Sequence, residues 1–220
     1  MRRILVIIII VIFLQWFFKY KMSTLMLLDG GILGKGIIFK CLSNIECRKI
    51  ISVCEDRQWE TQRHKNYPTI DQEIKNIPEL QHLVHKVESA VFATIRKKYG
   101  FRELKMNDLF VVKYDCIQQN KLDIHRDVSV LSFVITLNSD FKGGGTYFKT
   151  KNYVFNPSLG TIIIMCGKLL HGGLTITKGV RYILTGFVDI LDDCIDYDFL
   201  DNCVTNNMSD YEVLKNMFKK

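Results

Sequence analysis

Four side chains in the second half of the chain have the types and spacing of a reactive centre: His125, Asp127 and His171, followed ten positions later by Arg181. Two imidazoles and one carboxylate in the order H-x-D…H can occupy one face of an octahedral metal. This facial ligand set is the one that holds non-haem Fe(II), and it leaves three positions open for a co-substrate and oxygen. Arg181 supplies what the far carboxylate of a co-substrate such as 2-oxoglutarate needs, because its planar fork takes a carboxylate through two hydrogen bonds. Tyr114 ends a run of strand formers before the triad, where its hydroxyl could reach the same carboxylate. H-x-D alone occurs by chance in many proteins, and a lone histidine is more often a satisfied polar residue. The combination of all four is far more specific.

The elements that must position these residues follow from periodicity. From Asn107 the chain reads as strands: 109–114, 129–137, the short 146–148 and 153–155, then 160–166 and 181–188, rich in β-branched residues. His125 and Asp127 are two apart at a strand mouth, so both point to one face. His171 follows the strand ending near Gly167 and can arrive from across a barrel. The run Phe141-Lys-Gly-Gly-Gly-Thr146 reads as a tight hairpin whose glycines supply positive φ. Upstream the pattern is helical. Ser43-Asn44-Ile45-Glu46 is a capping box opening a helix to about Asp56, with Ile45, Ile50, Ile51 and Cys54 inward. A polar stretch runs to Asn76. Pro78 starts a second helix with Leu80, Leu83, Val84, Val87, Val91 and Ile95 on one face, stopping at Gly100. His82 and His85 on that helix are read as surface residues, with no third ligand nearby in sequence. Helices first and strands after predict an α+β domain whose β half is a sandwich or jelly roll.

At 220 residues the chain suits one domain with a sizeable core. Its net charge of +7 comes from scattered lysines and arginines, the pattern of solvated surfaces. No stripe of interleaved basic and aromatic residues marks a nucleic-acid face. The acidic tail from Asp192 is expected to end in a helix capped at Ser209 with Glu212. Residues 4–18 are apolar apart from Gln15, after Arg2 and Arg3. Fifteen helical residues reach roughly 22 Å at 1.5 Å each, short of the about 30 Å hydrocarbon core, with Trp16, Phe17, Phe18 and Tyr20 suited to the interface. No small-residue cleavage site follows, which favours an uncleaved signal anchor over a cleavable signal peptide. The charge bias favours a lumenal domain, one that would be secreted if the segment were cleaved. Seven cysteines without a C-x-x-C pair argue against zinc and leave their disulfide state open. Asn207-Met208-Ser209 is a sequon usable in a lumen.

The segments FVVKY, HRDVS, ITLN, FKGGGTYF, GKLLHGGLTITKGVRYI and FVD, between Phe110 and Ile190, resemble the catalytic domain of the Fe(II)/2-oxoglutarate dioxygenases, most closely the lysyl hydroxylase branch. Tyr67-Pro-Thr-Ile-Asp71 resembles a P-T-x-D segment of that family, and the helix 43–56 its entry helix. The likeness covers residues 43–190 and is strong in the last eighty or so. It implies a double-stranded β-helix, iron ligands at His125, Asp127 and His171, and a 2-oxoglutarate site at Arg181 and Tyr114, with L-ascorbate keeping iron reduced. Val134 stands where lysyl hydroxylases often have Asn, and Arg181 where prolyl 4-hydroxylases usually have Lys. The resulting layout is a signal anchor or transmembrane segment at 1–21, a linker and lead-in at 22–42, the dioxygenase domain at 43–190 (core 107–190) and an acidic tail at 191–220. The expected activity is hydroxylation of a protein side chain, lysine or proline, releasing succinate and CO2. The alternatives are oxidation of a non-protein substrate, small molecule or nucleic acid, and a non-catalytic binding module that kept the barrel.

Overall fold

The computed structural model describes residues 36–64, 66–203 and 208–219. The apolar segment at 1–21, most of the 22–42 linker and Asn207 of the sequon lie outside them. Among the described residues no helix is long and apolar enough to cross a membrane.

Two helices come early: α1 (Asn44–Glu55) and α2 (Gln81–Tyr99). Ser43 and Glu46 form the expected capping box on α1. A single 3-10 turn at Pro78–Leu80 leads into α2, which Gly100 ends in the left-handed conformation, φ 76°. The buried stripe of α1 is Cys47, Ile50, Val53 and Cys54. Ile45, expected inward, is 72% exposed. It lies two residues before Cys47, roughly 200° round the helix at 3.6 residues per turn. Cys47 and Cys54 thus share the buried face of α1, and no disulfide is present among the described residues.

Twelve strands follow the chain: β1 (Ile37–Lys40), β2 (Ile70–Glu73), β3 (Leu104–Asp115), β4 (Leu122–His125), β5 (Leu131–Thr136), β6 (Lys142–Gly143), β7 (Thr146–Phe148), β8 (Tyr153–Phe155), β9 (Thr161–Cys166), β10 (His171–Gly173), β11 (Ile176–Lys178) and β12 (Val180–Ile190). They make a six-stranded sheet β1-β9-β5-β12-β3-β2, a four-stranded sheet β4-β10-β7-β8 and a two-stranded ribbon β11-β6. Every pairing is antiparallel.

The central strands explain the layering. In β9 all six residues, Thr-Ile-Ile-Ile-Met-Cys, are buried. A strand covered on both faces needs such a continuous apolar run. Its Ile162, Ile164 and Cys166 join the core shared with the helices, as do Leu109 and Val111 of β3 and Leu131 and Phe133 of β5. The alternate residues Ile163, Met165, Phe110, Val112, Tyr114, Val134 and Ile183 face the other way. There they meet Phe148 and Phe155 of the four-stranded sheet. One sheet thus has helices behind it and a second sheet in front, a mixed α/β jelly roll with the site between its sheets.

Three expectations change. The polar stretch before Asn76 contains β2, whose Asp71 and Gln72 are buried. They are tolerated there because Arg63 and Thr69 hydrogen-bond Asp71, and Gln72 donates to the carbonyls of Gln58 and Cys54. The glycine run is not a simple hairpin, since its two arms pair with different sheets, Lys142–Gly143 with β11 and Thr146–Phe148 with β10. The acidic tail is not merely an appendage. It forms α3 (Tyr197–Cys203) and α4 (Asp210–Asn216), the latter with the expected Ser209–Glu212 capping box, and buries Leu200, Val213 and Leu214 against the helix-side core.

Candidate active site

His125 closes β4 and His171 opens β10, and the two are cross-strand partners. Asp127 lies beyond the end of β4, so the simple alternation expected from H-x-D does not place it. A turn does: the Asp127 N–H donates to Gly167 O at 2.8 Å, and Ser132 Oγ donates to Asp127 Oδ2 at 2.5 Å. Gly167 is required there, because a Cβ would stand 2.6 Å from Ser129 O and 2.7 Å from Ser132 Oγ.

The three side chains converge. One ligand atom from each of His125, Asp127 and His171 lies within 4.8 Å of the others, and all three residues are buried. His125 Nε2 is 3.2 Å from Asp127 Oδ1, and His171 Nε2 is 3.4 Å from Asp127 Oδ2. Each ring is fixed from behind, with His125 Nδ1 on Asp123 O and His171 Nδ1 on Leu169 O, both at 2.8 Å. Carbonyls accept, so each Nδ1 must donate, which aims both Nε2 atoms at Asp127, where each donates when its ring is charged and presents a lone pair when it is neutral. Burial opposes the Asp127 charge and is the largest single influence on it. The positive His171 and the hydrogen bonds from both histidines outweigh burial and hold the carboxyl far below the usual range. Burial likewise opposes a charged His171, yet Asp127 pushes its pKa up.

A cavity of about 320 Å³ opens beside the triad and runs between the sheets to Arg181. Arg181 sits on β12 directly opposite Tyr114 of β3 and is 1% exposed. Its guanidinium carbon lies 5.6 Å from the Tyr114 ring centre and 6.0 Å from that of Phe141. Among the described residues, no acceptor reaches its Nε or Nη2. Burial depresses the guanidinium pKa and pushes the Tyr114 phenol up to about 12. The glycine run makes room for this arginine. Gly144 has φ 73°, and a Cβ on it would stand 3.2 Å from Arg181 Cδ and 2.5 Å from Ile176 Cδ1. A buried cation with unpaired donors requires an anion to offset its desolvation.

No family model matches the chain. Among curated proteins it is 33% identical over 132 residues to "Procollagen lysyl hydroxylase and glycosyltransferase" of Acanthamoeba polyphaga mimivirus, covering 57% of this chain and 15% of that protein. It is 31% identical over 170 residues to human "Procollagen-lysine,2-oxoglutarate 5-dioxygenase 1", covering 69% of this chain and 23% of that protein. The chain therefore spans less than a quarter of the length of these relatives. Among solved structures, the viral collagen prolyl hydroxylase of Paramecium Bursaria Chlorella virus-1 in its 2OG complex aligns with TM-score 0.58 at 18% identity, over 72% of this chain and 98% of that one. A Pseudomonas putida prolyl-4-hydroxylase aligns with TM-score 0.56 at 15% identity, over 76% and 98%. Over part of its length the chain thus resembles procollagen lysyl hydroxylases, and it shares the fold of the prolyl hydroxylases.

For a dioxygenase of this kind the donor set fits both small partners. The two Nε2 atoms and the Asp127 carboxylate would hold Fe(II). The unpaired Arg181 donors, with Tyr114 beside them, would hold the far carboxylate of 2-oxoglutarate. His82 and His85 are exposed on α2, away from the site. Several residues at the candidate site carry no assigned role in the sequence pattern. Tyr67 stacks on His125 at the cavity mouth, ring centres 4.8 Å apart. Arg63 binds the buried Asp71 and, at 2.9 Å, Asp108, while lying over Phe110. Lys168, 1% exposed, donates to Val128 O at 2.6 Å, one residue after Asp127. Tyr67 lies in the Tyr67-Pro-Thr-Ile-Asp71 likeness and Lys168 in the GKLLHGGLTITKGVRYI segment, but neither likeness assigns them a role, and Ser132 carries no sequence signal.

Proposed function

We propose that the domain is an Fe(II)- and 2-oxoglutarate-dependent hydroxylase acting on a lysine or proline side chain of a polypeptide, with O2 consumed, succinate and CO2 released, and ascorbate as reductant. The single observation that carries this reading is the buried, unpaired Arg181 guanidinium across one cavity from a convergent His-Asp-His triad. The resemblance to procollagen lysyl hydroxylases supports the protein substrate.

Bound iron would supply oxygen activation, coupled to oxidation of the co-substrate. The chain's own residues do the rest. His125, Asp127 and His171 present three donors on one face, each braced by a hydrogen bond from behind or alongside. Arg181 and Tyr114 would hold the far carboxylate of the co-substrate and so restrict its orientation toward the triad. Apolar walls from Val134, Met165 and Ile183 line the space between them and exclude water. The cavity mouth lies at Tyr67, where a side chain protruding from a polypeptide would enter.

The segment at 1–21 would hold the domain at a membrane on the lumenal side, a reading that rests on the sequence alone; glycosylation of Asn207 in microsomes would test it. The activity is tested by incubating the protein with Fe(II), ascorbate, 2-oxoglutarate and lysine- or proline-containing peptides. Succinate formation and a peptide mass gain of one oxygen atom are expected. No 2-oxoglutarate turnover under any of these conditions would refute the enzyme reading, and turnover without peptide oxidation would refute the substrate.

A further inference from the structure

The residue between two of the metal ligands is itself anchored to the far end of the chain. Arg126 is 9% exposed, and its guanidinium donates to Asp210, to Lys168 O and, at 2.7 Å, to Met208 O. Asp210 is 3% exposed. Its Oδ1 also accepts the backbone N–H of Leu170 at 3.1 Å, and its Oδ2 accepts the Thr150 hydroxyl. Leu170 is the residue before His171, and its own carbonyl accepts the Lys149 N–H at 2.9 Å.

One carboxylate therefore touches both ligand segments. Through Arg126 it restrains the peptide between His125 and Asp127. Through the Leu170 N–H it restrains the peptide entering His171. Each contact lies one residue from a ligand, so little freedom remains between the carboxylate and the donor atoms. Metal–ligand distances tolerate errors of only about 0.2 Å, and an ion pair taken out of water holds its geometry only while both partners remain.

We infer that Asp210 is a positioning residue for the metal centre, and that the C-terminal helix is thereby a structural part of the active site. This rests on the metal reading of the triad but not on any choice of substrate.

The test uses the full chain and Co(II), whose visible absorption reports coordination geometry, with affinity measured by titration. Asp210→Asn leaves a side chain of the same shape that cannot charge-pair with Arg126. The double variant Arg126→Met with Asp210→Leu replaces the ion pair by an apolar one, a change that folds generally tolerate. Both are expected to keep the circular dichroism of the native fold, to bind Co(II) on the order of 10–100-fold more weakly and to show altered absorption, as loss of a ligand-supporting contact does. Asp210→Glu, which restores the charge, is expected to recover part of the affinity.

Native Co(II) affinity and spectrum in either folded variant would overturn the inference. Loss of the fold in both would overturn it too, since the contact would then serve the fold and not the metal centre. Absence of Co(II) binding by the unmodified protein would instead refute the metal reading itself, so the two failures are distinguishable.

Discussion

Arg181 and Tyr114 face each other across the β3–β12 ladder, and the guanidinium carbon lies 5.6 Å from the phenol ring centre. The ring offers the cation a partial partner but no acceptor, so among the described residues two buried guanidinium nitrogens, Nε and Nη2, remain without one. That deficit makes the pair a receptor for an anion and a liability without one.

The first prediction follows from that liability. Arg181→Met should weaken 2-oxoglutarate binding on the order of 10–100-fold or more, the loss of about 1.5–3 kcal/mol expected for a charge-assisted contact. It should also raise, not lower, the melting temperature of the ligand-free protein, because an unpaired buried cation is removed. In the unmodified protein, 2-oxoglutarate at a hundred times its Kd should add about 2.7 kcal/mol of stability. Calorimetric melting with and without 2-oxoglutarate checks both, and undiminished co-substrate affinity in the variant would remove Arg181 from the site.

A second prediction concerns the seat of Asp127. Gly167→Ala places a methyl 3.1 Å from Asp127 Cβ and closer still to Ser129 O and Ser132 Oγ. It should displace the carboxylate and destabilise the fold by about 1–3 kcal/mol, as overpacking does. Ser132→Ala removes the hydrogen bonds to Asp127 Oδ2 and to Ser129 Oγ and should weaken Co(II) or Fe(II) binding about tenfold, with a smaller loss of stability than Gly167→Ala. Asp127→Ala should abolish metal binding outright. Metal titration alongside thermal melting separates the three.

The metal-free protein should have a stability optimum in mildly acid solution. Asp127 titrates below its ordinary value in the folded state, so its contribution is present above about pH 3.9 and disappears as pH falls further. His171 titrates above its ordinary value, so its contribution is complete below about pH 6.5 and is lost as pH rises through the elevated folded value. Metal loading demands neutral imidazoles and should reverse the upper limb, with affinity rising with pH and protons released on binding. Melting curves from pH 4 to 9, with metal and with chelator, are the measurement, and a metal-free protein more stable at pH 8 than at pH 6 would contradict it.

Arg63 secures the polar segment that carries Tyr67 to the cavity mouth. Arg63→Ala leaves the fully buried Asp71 with Thr69 as its hydrogen-bonding side chain and no guanidinium, and should cost about 3 kcal/mol, the scale for breaking a buried pair from one side. Tyr67→Ala should leave folding intact and raise the KM for a peptide substrate more than that for 2-oxoglutarate. Equal effects on both would place Tyr67 in the co-substrate site instead.

The parts of this protein written in local pattern were legible in its sequence. The capping boxes at Ser43 and Ser209 and the glycine stop at Gly100 follow from residues three or four apart. His125, Asp127, His171 and Arg181 were noticeable because their types are rare at that spacing. The structure brings the first three together and sets Arg181 across the cavity. What sequence could not supply depends on distant partners. β2 reads as polar because its burial is made possible by Arg63 and by carbonyls outside the strand. Gly143–Gly145 carry the signature of a hairpin, and only the pairing of neighbouring strands shows that they bridge two sheets. Asp210 looks like one more acid in an acidic tail until Arg126, 84 positions away, is seen against it.

The two histidines are paired across strands yet stand 46 positions apart in the chain. A metal held by both would close that long loop in the way a cross-link does, and loop closure of this kind penalises the unfolded chain. The edge of the smaller sheet would then be far harder to open when loaded than when empty. Since proteases act on what opens, the metal-free form would be cleaved faster than the metal-loaded form.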